Sequence, residues 1–85
     1  MTYAVEFAKS AQRELKKLDK STVRRVSAAI VKLGQNPRAG SVRPMVGSKS
    51  WRLRVGDYRV VYDILDDKLV VFIIRVRHRR EVYRR

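Results

Sequence analysis

Apolar side chains along this chain recur first with the period of a strand and then with the period of a helix. Residues 2–7 place Tyr3, Val5 and Phe7 on one side, which predicts a short strand. From residue 9 the apolar positions are spaced as in an amphipathic helix: Ala11, Leu15 and Leu18. A second helix is predicted by a further series: Val23, Val26, Ile30 and Leu33. We expect the two helices to form an antiparallel hairpin with one apolar side.

Capping and breaking residues set the expected bounds of these helices. Ser10 is a candidate N-cap for the first helix and Ser21 for the second. Gly34 stands where a left-handed residue ends a helix, and Pro37 follows it. Residues 36–50 contain two prolines and two glycines, which favours a loop.

Three strands are predicted in the second half, at about residues 51–55, 58–65 and 69–76. Gly56 and Asp57 form a two-residue turn between the first two, and a second tight turn falls at residues 66–68. The last strand is apolar on both faces, so it is either central or covered on its second face. The order is therefore β-α-α-β-β-β. This is an α+β fold, in which a helical hairpin packs on one face of a mostly antiparallel four-stranded sheet.

The two-residue turn fixes which side chains of the first hairpin face each other. Arg54 lies opposite Arg59, and alternation puts Arg52 on the same face. Like charges in direct cross-strand pairs are destabilising, so three arginines on one face predict an anion site. The other face carries apolar residues and is expected to lie under the helices: Trp51, Leu53, Val55, Val60 and Tyr62.

Composition narrows the class of partner. The 85 residues make one domain, 1–85, with a formal charge of +13, which points to a polyanion. An apolar fraction of 45% argues for a folded core and against a disordered basic tail. There is no cysteine, and His78 is the single histidine, so neither a metal site nor a cofactor is expected. Without a signal peptide or a long apolar run, the expected location is the cytoplasm, away from membranes.

Few side chains offer acid–base chemistry, and no nucleophile elbow or phosphate loop is present. Tyr83 is the exception, because it stands among four arginines: Arg79, Arg80, Arg84 and Arg85. Surrounding positive charge favours a phenolate, so Tyr83 could act as a general base. It could equally stack on an RNA base or dock the chain end on the core.

Two segments together resemble the RelE/ParE toxin superfamily, and more narrowly its RelE branch. They are residues 51–62, which contain GDYRVVY, and residues 71–83, which contain RHRREVY. The resemblance covers essentially the whole chain. It implies the toxin of a type II toxin–antitoxin pair, a ribosome-dependent endoribonuclease that cleaves messenger RNA by attack of a 2′-OH on the adjacent phosphate. It also implies an acidic, RelB-like antitoxin that forms a hetero-oligomer with a toxin that is monomeric when free.

Site residues follow from the same resemblance. Arg59, Arg79 and Tyr83 match catalytic positions, although Arg77 is a rival to Arg79 because the local alignment can slip. The RNA-binding set comprises Arg52, Arg54, Arg77 and Arg80. Some RelE-like relatives have lysine at the positions of Arg52 and Arg54. Since arginine stays protonated, the role of general base passes to Tyr83 here, and Arg79 or His78 is left as the acid.

Two other functions stay open at this point. A ParE-like toxin would inhibit DNA gyrase, and a basic RNA-binding module would bind without cleaving.

Overall fold

A computed structural model describes residues 2–80 of the chain, so Tyr83 lies outside the described residues. The helices are α1 (Lys9–Lys16) and α2 (Lys20–Gln35). The strands are β1 (Ala4–Phe7), β2 (Val42–Pro44), β3 (Trp51–Val55), β4 (Tyr58–Leu65) and β5 (Val70–His78). They form one sheet in the order β1-β5-β4-β3-β2, in which only the β1–β5 pair is parallel. The predicted α+β class is confirmed.

The sheet has a fifth strand that the sequence analysis assigned to a loop. β2 lies at the sheet edge and pairs antiparallel with β3, placing Val42 opposite Leu53 and Arg43 opposite Arg52. Three residues are too few to show an alternating pattern, and Pro44 argued against a strand. Pro44 is tolerated because it ends an edge strand, where a missing N–H costs little.

The hairpin of β3 and β4 forms as predicted. Gly56 has a φ of 57°, the left-handed conformation that a two-residue hairpin turn requires. Arg54 is the cross-strand partner of Arg59, and Val55 is the partner of Tyr58.

β5 is an interior strand between β1 and β4, which explains its two apolar faces. Its register shifts near the middle: Val61 pairs with Arg75, but Tyr62 pairs with Ile73. Ile74 is therefore the extra residue of a β-bulge, which lets both Ile73 and Val76 face the core.

The core lies between α2 and the apolar face of the sheet. Its members include Val26, Ile30 and Leu33 of α2 and Leu53, Val60 and Tyr62 of β3 and β4. The hydroxyl of Tyr62 donates to the carbonyl of Pro37 at 2.6 Å, so the buried phenol is satisfied. Burial raises the pKa of Tyr62 to about 12. Trp51 is half-buried against this core, with the Arg38 guanidinium 5.8 Å from its ring centroid.

The expected helix caps are wrong, for identifiable reasons. Asp19 caps α2 by accepting from the Thr22 N–H at 3.3 Å, and Ser21 only donates its hydroxyl to Asp19. These hydrogen bonds lower the pKa of Asp19 to about 2. Ala8 precedes α1, and Ser10 instead donates to the carbonyl of Ile74 at 2.7 Å.

Gly34 lies inside α2, which continues to Gln35, and so is not a left-handed terminator. A Cβ on Gly34 would stand 3.0 Å from the Tyr3 carbonyl oxygen, and the Gly34 carbonyl accepts from the Tyr3 N–H at 2.6 Å. The glycine is needed for close approach of the chain before β1. Within residues 2–80 no helix has the length and apolar character to cross a bilayer.

Candidate functional site

Four arginines line one open groove on the sheet face away from the helices. The groove has a volume of about 460 Å³ and is formed by β2, β3 and β4 with the segment before β2. Its lining residues are Gly40, Ser41, Val42, Arg43, Arg52, Arg54 and Arg59. We call it the arginine groove. The structure thus brings together the three arginines that the sequence placed on one face.

The register makes two like-charge pairs in this groove. Arg43 lies opposite Arg52 across β2 and β3, and Arg54 lies opposite Arg59 across β3 and β4. Each such pair opposes strand association, and among residues 2–80 no carboxylate lines the groove. A concave surface that concentrates positive charge in this way attracts anions strongly.

Arg59 differs from its neighbours because it is only 8% exposed. One terminal nitrogen donates to the carbonyls of Gly56 at 3.2 Å and Tyr58 at 3.0 Å. The hairpin turn therefore holds the guanidinium through backbone dipoles, without an opposing charge from those groups. Because these carbonyls hold the guanidinium without forming an ion pair with it, its positive charge can act on a bound anion.

The same turn also fastens the chain beyond β5. The Arg79 N–H donates to the Asp57 carbonyl at 2.6 Å, and its Nε lies 3.8 Å from the Asp57 carboxylate. Three successive carbonyls, from Gly56 to Tyr58, thus position two predicted catalytic arginines. Arg79 is exposed and does not line the arginine groove.

Arg77 lies directly opposite Arg59 in the β4–β5 pairing, but its side chain is directed to α1. Its Nε donates to the Glu14 carboxylate at 3.0 Å, and an Arg75 nitrogen lies 3.5 Å from the same oxygen. The other Glu14 oxygen accepts from the Val76 N–H at 2.8 Å. Glu14 therefore covers the edge of β5 beyond the end of β1 and binds two cations there.

The remaining predicted residues surround this second region. His78 packs edge-on against Tyr58, with ring centroids 5.4 Å apart. Arg80 is exposed, and its N–H donates to the His78 ring at 3.3 Å. Tyr83 is beyond the described residues. Its catalytic role stays a prediction, as do the roles assigned to the arginines.

Sequence reasoning missed Arg43 and Glu14. Arg43 was hidden in a strand too short to recognise, although the arginine between Val42 and Pro44 was a signal that it belonged with Arg52. Glu14 looked like an ordinary helix-surface acid, because nothing in the sequence indicates that α1 follows the edge of β5. Within residues 2–80 no three His, Asp or Glu side chains are grouped closely enough to hold a metal ion.

Comparison with known proteins adds independent information to this geometry. A family model described as the ParE toxin of the type II toxin–antitoxin system parDE matches residues 5–83.

Among curated proteins, the chain is 36% identical over 87 residues to the mRNA interferase toxin RelE of Escherichia coli K12, covering 98% of this chain and 92% of RelE. It is 36% identical to the toxin RelG of Mycobacterium tuberculosis, with both chains covered completely. Among solved structures, it resembles the RelBE2 toxin–antitoxin complex of M. tuberculosis with a TM-score of 0.84. That match has 31% identity and covers 92% of this chain and 99% of the other.

Proposed function

This chain belongs to the ParE toxin family of type II toxin–antitoxin systems, and we propose that it is a RelE-like toxin that cleaves messenger RNA on the ribosome. Its relatives of 36% identity include an mRNA interferase, and the match spans nearly the whole of both chains. The chain therefore corresponds to 92% of the length of that relative.

The observation that supports the proposal most is the arginine groove. Its four guanidinium groups share one concave surface, and none of the described residues that line it carries a carboxylate. Arginine presents a planar set of donors that matches phosphate oxygens. A groove of this size and charge fits a segment of RNA backbone.

The nucleophile of the proposed reaction is a group that the RNA itself carries. The 2′ oxygen attacks the adjacent phosphorus and forms a new P–O bond, while the bond from phosphorus to the 5′ oxygen of the next nucleotide breaks. The products are a 2′,3′-cyclic phosphate and a free 5′-OH. Negative charge builds on the phosphoryl oxygens in the transition state, where fixed cations stabilise it best.

The groove residues act as a clamp on that charge. Arg59 is held by the turn carbonyls and so requires little reorganisation when the charge develops. Arg54 is exposed and can meet the phosphate directly, with Arg43 and Arg52 beside it.

Two proton transfers complete the reaction: the 2′-OH must lose a proton and the leaving 5′ oxygen must gain one. Arginine is already protonated and cannot accept a proton, so the groove itself supplies no base. We assign the base to Tyr83, and we assign the group that donates a proton or a hydrogen bond to the leaving 5′ oxygen to Arg79 or His78.

The cellular setting follows the relatives. The solved RelBE complex pairs a RelE-like toxin with its antitoxin, and a RelB-like acidic protein is the proposed partner here. The charge of +13 favours rapid association with such a protein. The free toxin is proposed to be a cytoplasmic monomer that forms a hetero-oligomer with its antitoxin.

A second function is inhibition of DNA gyrase. The resemblance to ParE-like toxins implies it, and the matching family model is described for the ParE toxin. A third, non-catalytic RNA binding, would use the same arginine groove without Tyr83.

One set of measurements separates the three functions. Purified toxin is added to ribosomes programmed with a defined message, cleavage is mapped by primer extension, and DNA supercoiling by gyrase is followed in parallel. We expect cuts in the message, no change in supercoiling, and a loss of about 10²–10⁴-fold in the single-turnover rate for Tyr83→Phe, which removes only the hydroxyl. Gyrase inhibition without cleavage would replace this proposal by the second function, and RNA binding without cleavage would replace it by the third.

A further inference from the structure

A second basic groove lies between α1 and the end of β5. It has a volume of about 400 Å³ and is lined by four cationic side chains, Arg13, Lys17, Arg75 and Arg77, with Glu14 as the acid among them. The paired rings of Tyr58 and His78 form part of its wall. We call it the α1–β5 groove.

Glu14 orients the cations of this groove without using all of their donors. Its carboxylate accepts hydrogen bonds from the Nε of Arg77 and from one terminal nitrogen of Arg75. Within residues 2–80 the structure records no hydrogen bond from the terminal nitrogens of Arg77. Those nitrogens are the pair that binds phosphate oxygens side by side, and Glu14 fixes the plane in which they lie.

The α1–β5 groove adjoins the arginine groove on the same sheet. Arg59 lines one and Arg77 lines the other, and these residues are direct partners on β4 and β5. Neighbouring strands are separated by about 4.8 Å, so one step across the sheet leads from one groove to the next. A single nucleic-acid strand can span both.

We propose that the α1–β5 groove binds the backbone of the same messenger strand, next to the nucleotide whose phosphate lies in the arginine groove. The inference rests on the proposed function and adds to it a second RNA site that determines affinity for longer RNA. Cations that follow the backbone, beside aromatic rings that accept a base, are the usual composition of sites for single-stranded RNA.

The test measures binding, not cleavage. Fluorescence anisotropy would follow the whole chain binding to labelled, 2′-O-methylated RNA of about 3 and about 12 nucleotides, a range that covers one site and both sites. The methyl groups remove the nucleophile, so cleavage does not distort the result. The variant is Arg13→Ala with Lys17→Ala, two exposed residues four positions apart; Arg13 lies in α1 and Lys17 is its C-cap.

The matched control is Lys20→Ala with Arg24→Ala. It removes one lysine and one arginine with the same spacing from an exposed part of α2 outside both grooves. Arg54→Ala serves as the comparison for the arginine groove.

We expect the α1 variant to bind the longer RNA about ten-fold more weakly, with a salt slope smaller by about 1.4, and to bind the shorter RNA as the wild type does. The control should stay within about twofold for both RNAs. Arg54→Ala should weaken the binding of both the shorter and the longer RNA.

Three results would overturn the proposal. Equal losses in the variant and the control would show a bulk charge effect. An unchanged affinity for the longer RNA with a reduced affinity for ribosomes would assign the groove to ribosomal RNA. An effect on antitoxin binding alone would assign it to the protein partner. Because the RNA is never cleaved, a toxin that failed the cleavage test could still pass this one.

Discussion

Leu53 and Arg54 are consecutive residues of β3, yet Leu53 is 7% exposed in the core and Arg54 is exposed in the arginine groove. The same alternation divides the whole β3–β4 hairpin into two faces. The core face contributes stability through burial, whereas the groove face carries two like-charge pairs that oppose folding. The two faces therefore have opposite effects on stability, and the repulsion on the groove face is what the proposed anion site would explain.

The division predicts that substitutions on the two faces have separable effects. A change on the core face should alter the free energy of unfolding and leave chemistry alone. A change at an exposed residue of the groove face should do the reverse.

Leu53→Ala should have the largest effect on stability. Deleting a buried leucine side chain from a packed core lowers the free energy of unfolding by about 2–5 kcal/mol. Urea denaturation measures it, and Val31→Ala, at a 62% exposed position of α2, is the control and should change by less than about 0.5 kcal/mol. Cleavage per folded molecule should stay at the wild-type rate. An unchanged urea midpoint would show that Leu53 is not part of the core.

Arg54→Ala should have the opposite profile. In the proposed mechanism Arg54 donates to the phosphate in the transition state, and losing one such donor lowers a catalytic rate by about 10²–10³-fold. The urea midpoint should stay the same or rise, because the repulsion with Arg59 is removed. Single-turnover cleavage of ribosome-bound message is the measurement. A fully active variant, or one that unfolds, would contradict the division between the faces.

Arg54→Lys sharpens the same comparison. It keeps the charge and removes the planar set of donors, so a rate between those of wild type and Arg54→Ala is expected. A rate equal to wild type would mean that charge alone matters at this position.

Glu14 lies within the basic surface, but we expect its main effect to be on stability, because it joins α1 to β5. Glu14→Ala removes the acceptor of the part-buried Val76 N–H. Leaving a buried donor without a partner costs about 1–3 kcal/mol, so a loss near the lower end of that range is expected here. Glu14→Gln retains an acceptor oxygen and should cost much less. Denaturation of the two variants side by side tests this. Equal losses would indicate that the carboxylate charge, rather than the hydrogen bond to the strand edge, stabilises β5.

Local sequence patterns predicted the hairpin well because every determinant was local. The turn residues and the alternation of Leu53 and Arg54 fix the register without reference to the rest of the chain. The same patterns failed where a contact joins distant segments. β2 forms only because β3 offers a partner, and Ser10 and Glu14 bind a strand some sixty residues away in the chain.

Sequence patterns also failed to predict that the Arg59 side chain is buried. Alternation puts Arg59 on the outer face, which would make its replacement harmless to folding. The structure shows the side chain turned back to the turn carbonyls and almost fully buried. Arg59→Ala therefore mixes structural and chemical effects, and Arg54 is the cleaner probe of the groove.

Tyr62 provides the smallest and most selective test, because it places one polar atom on the core face. Tyr62→Phe removes the hydrogen bond to Pro37 and should lower the free energy of unfolding by about 0.5–1.5 kcal/mol, with no loss of cleavage.

The effect of Tyr62→Phe on stability should also depend on pH. Burial raises the pKa of Tyr62 to about 12, whereas an unfolded tyrosine titrates near 10. The neutral phenol therefore contributes its full stability below pH 10, and that contribution is lost as the pH rises through about 12. Lysines titrate in both proteins, so the difference between wild type and Tyr62→Phe isolates this group. Urea denaturation at a series of pH values should show the difference shrinking above pH 10, and a difference independent of pH would mean that the Tyr62 phenol is not desolvated in the core.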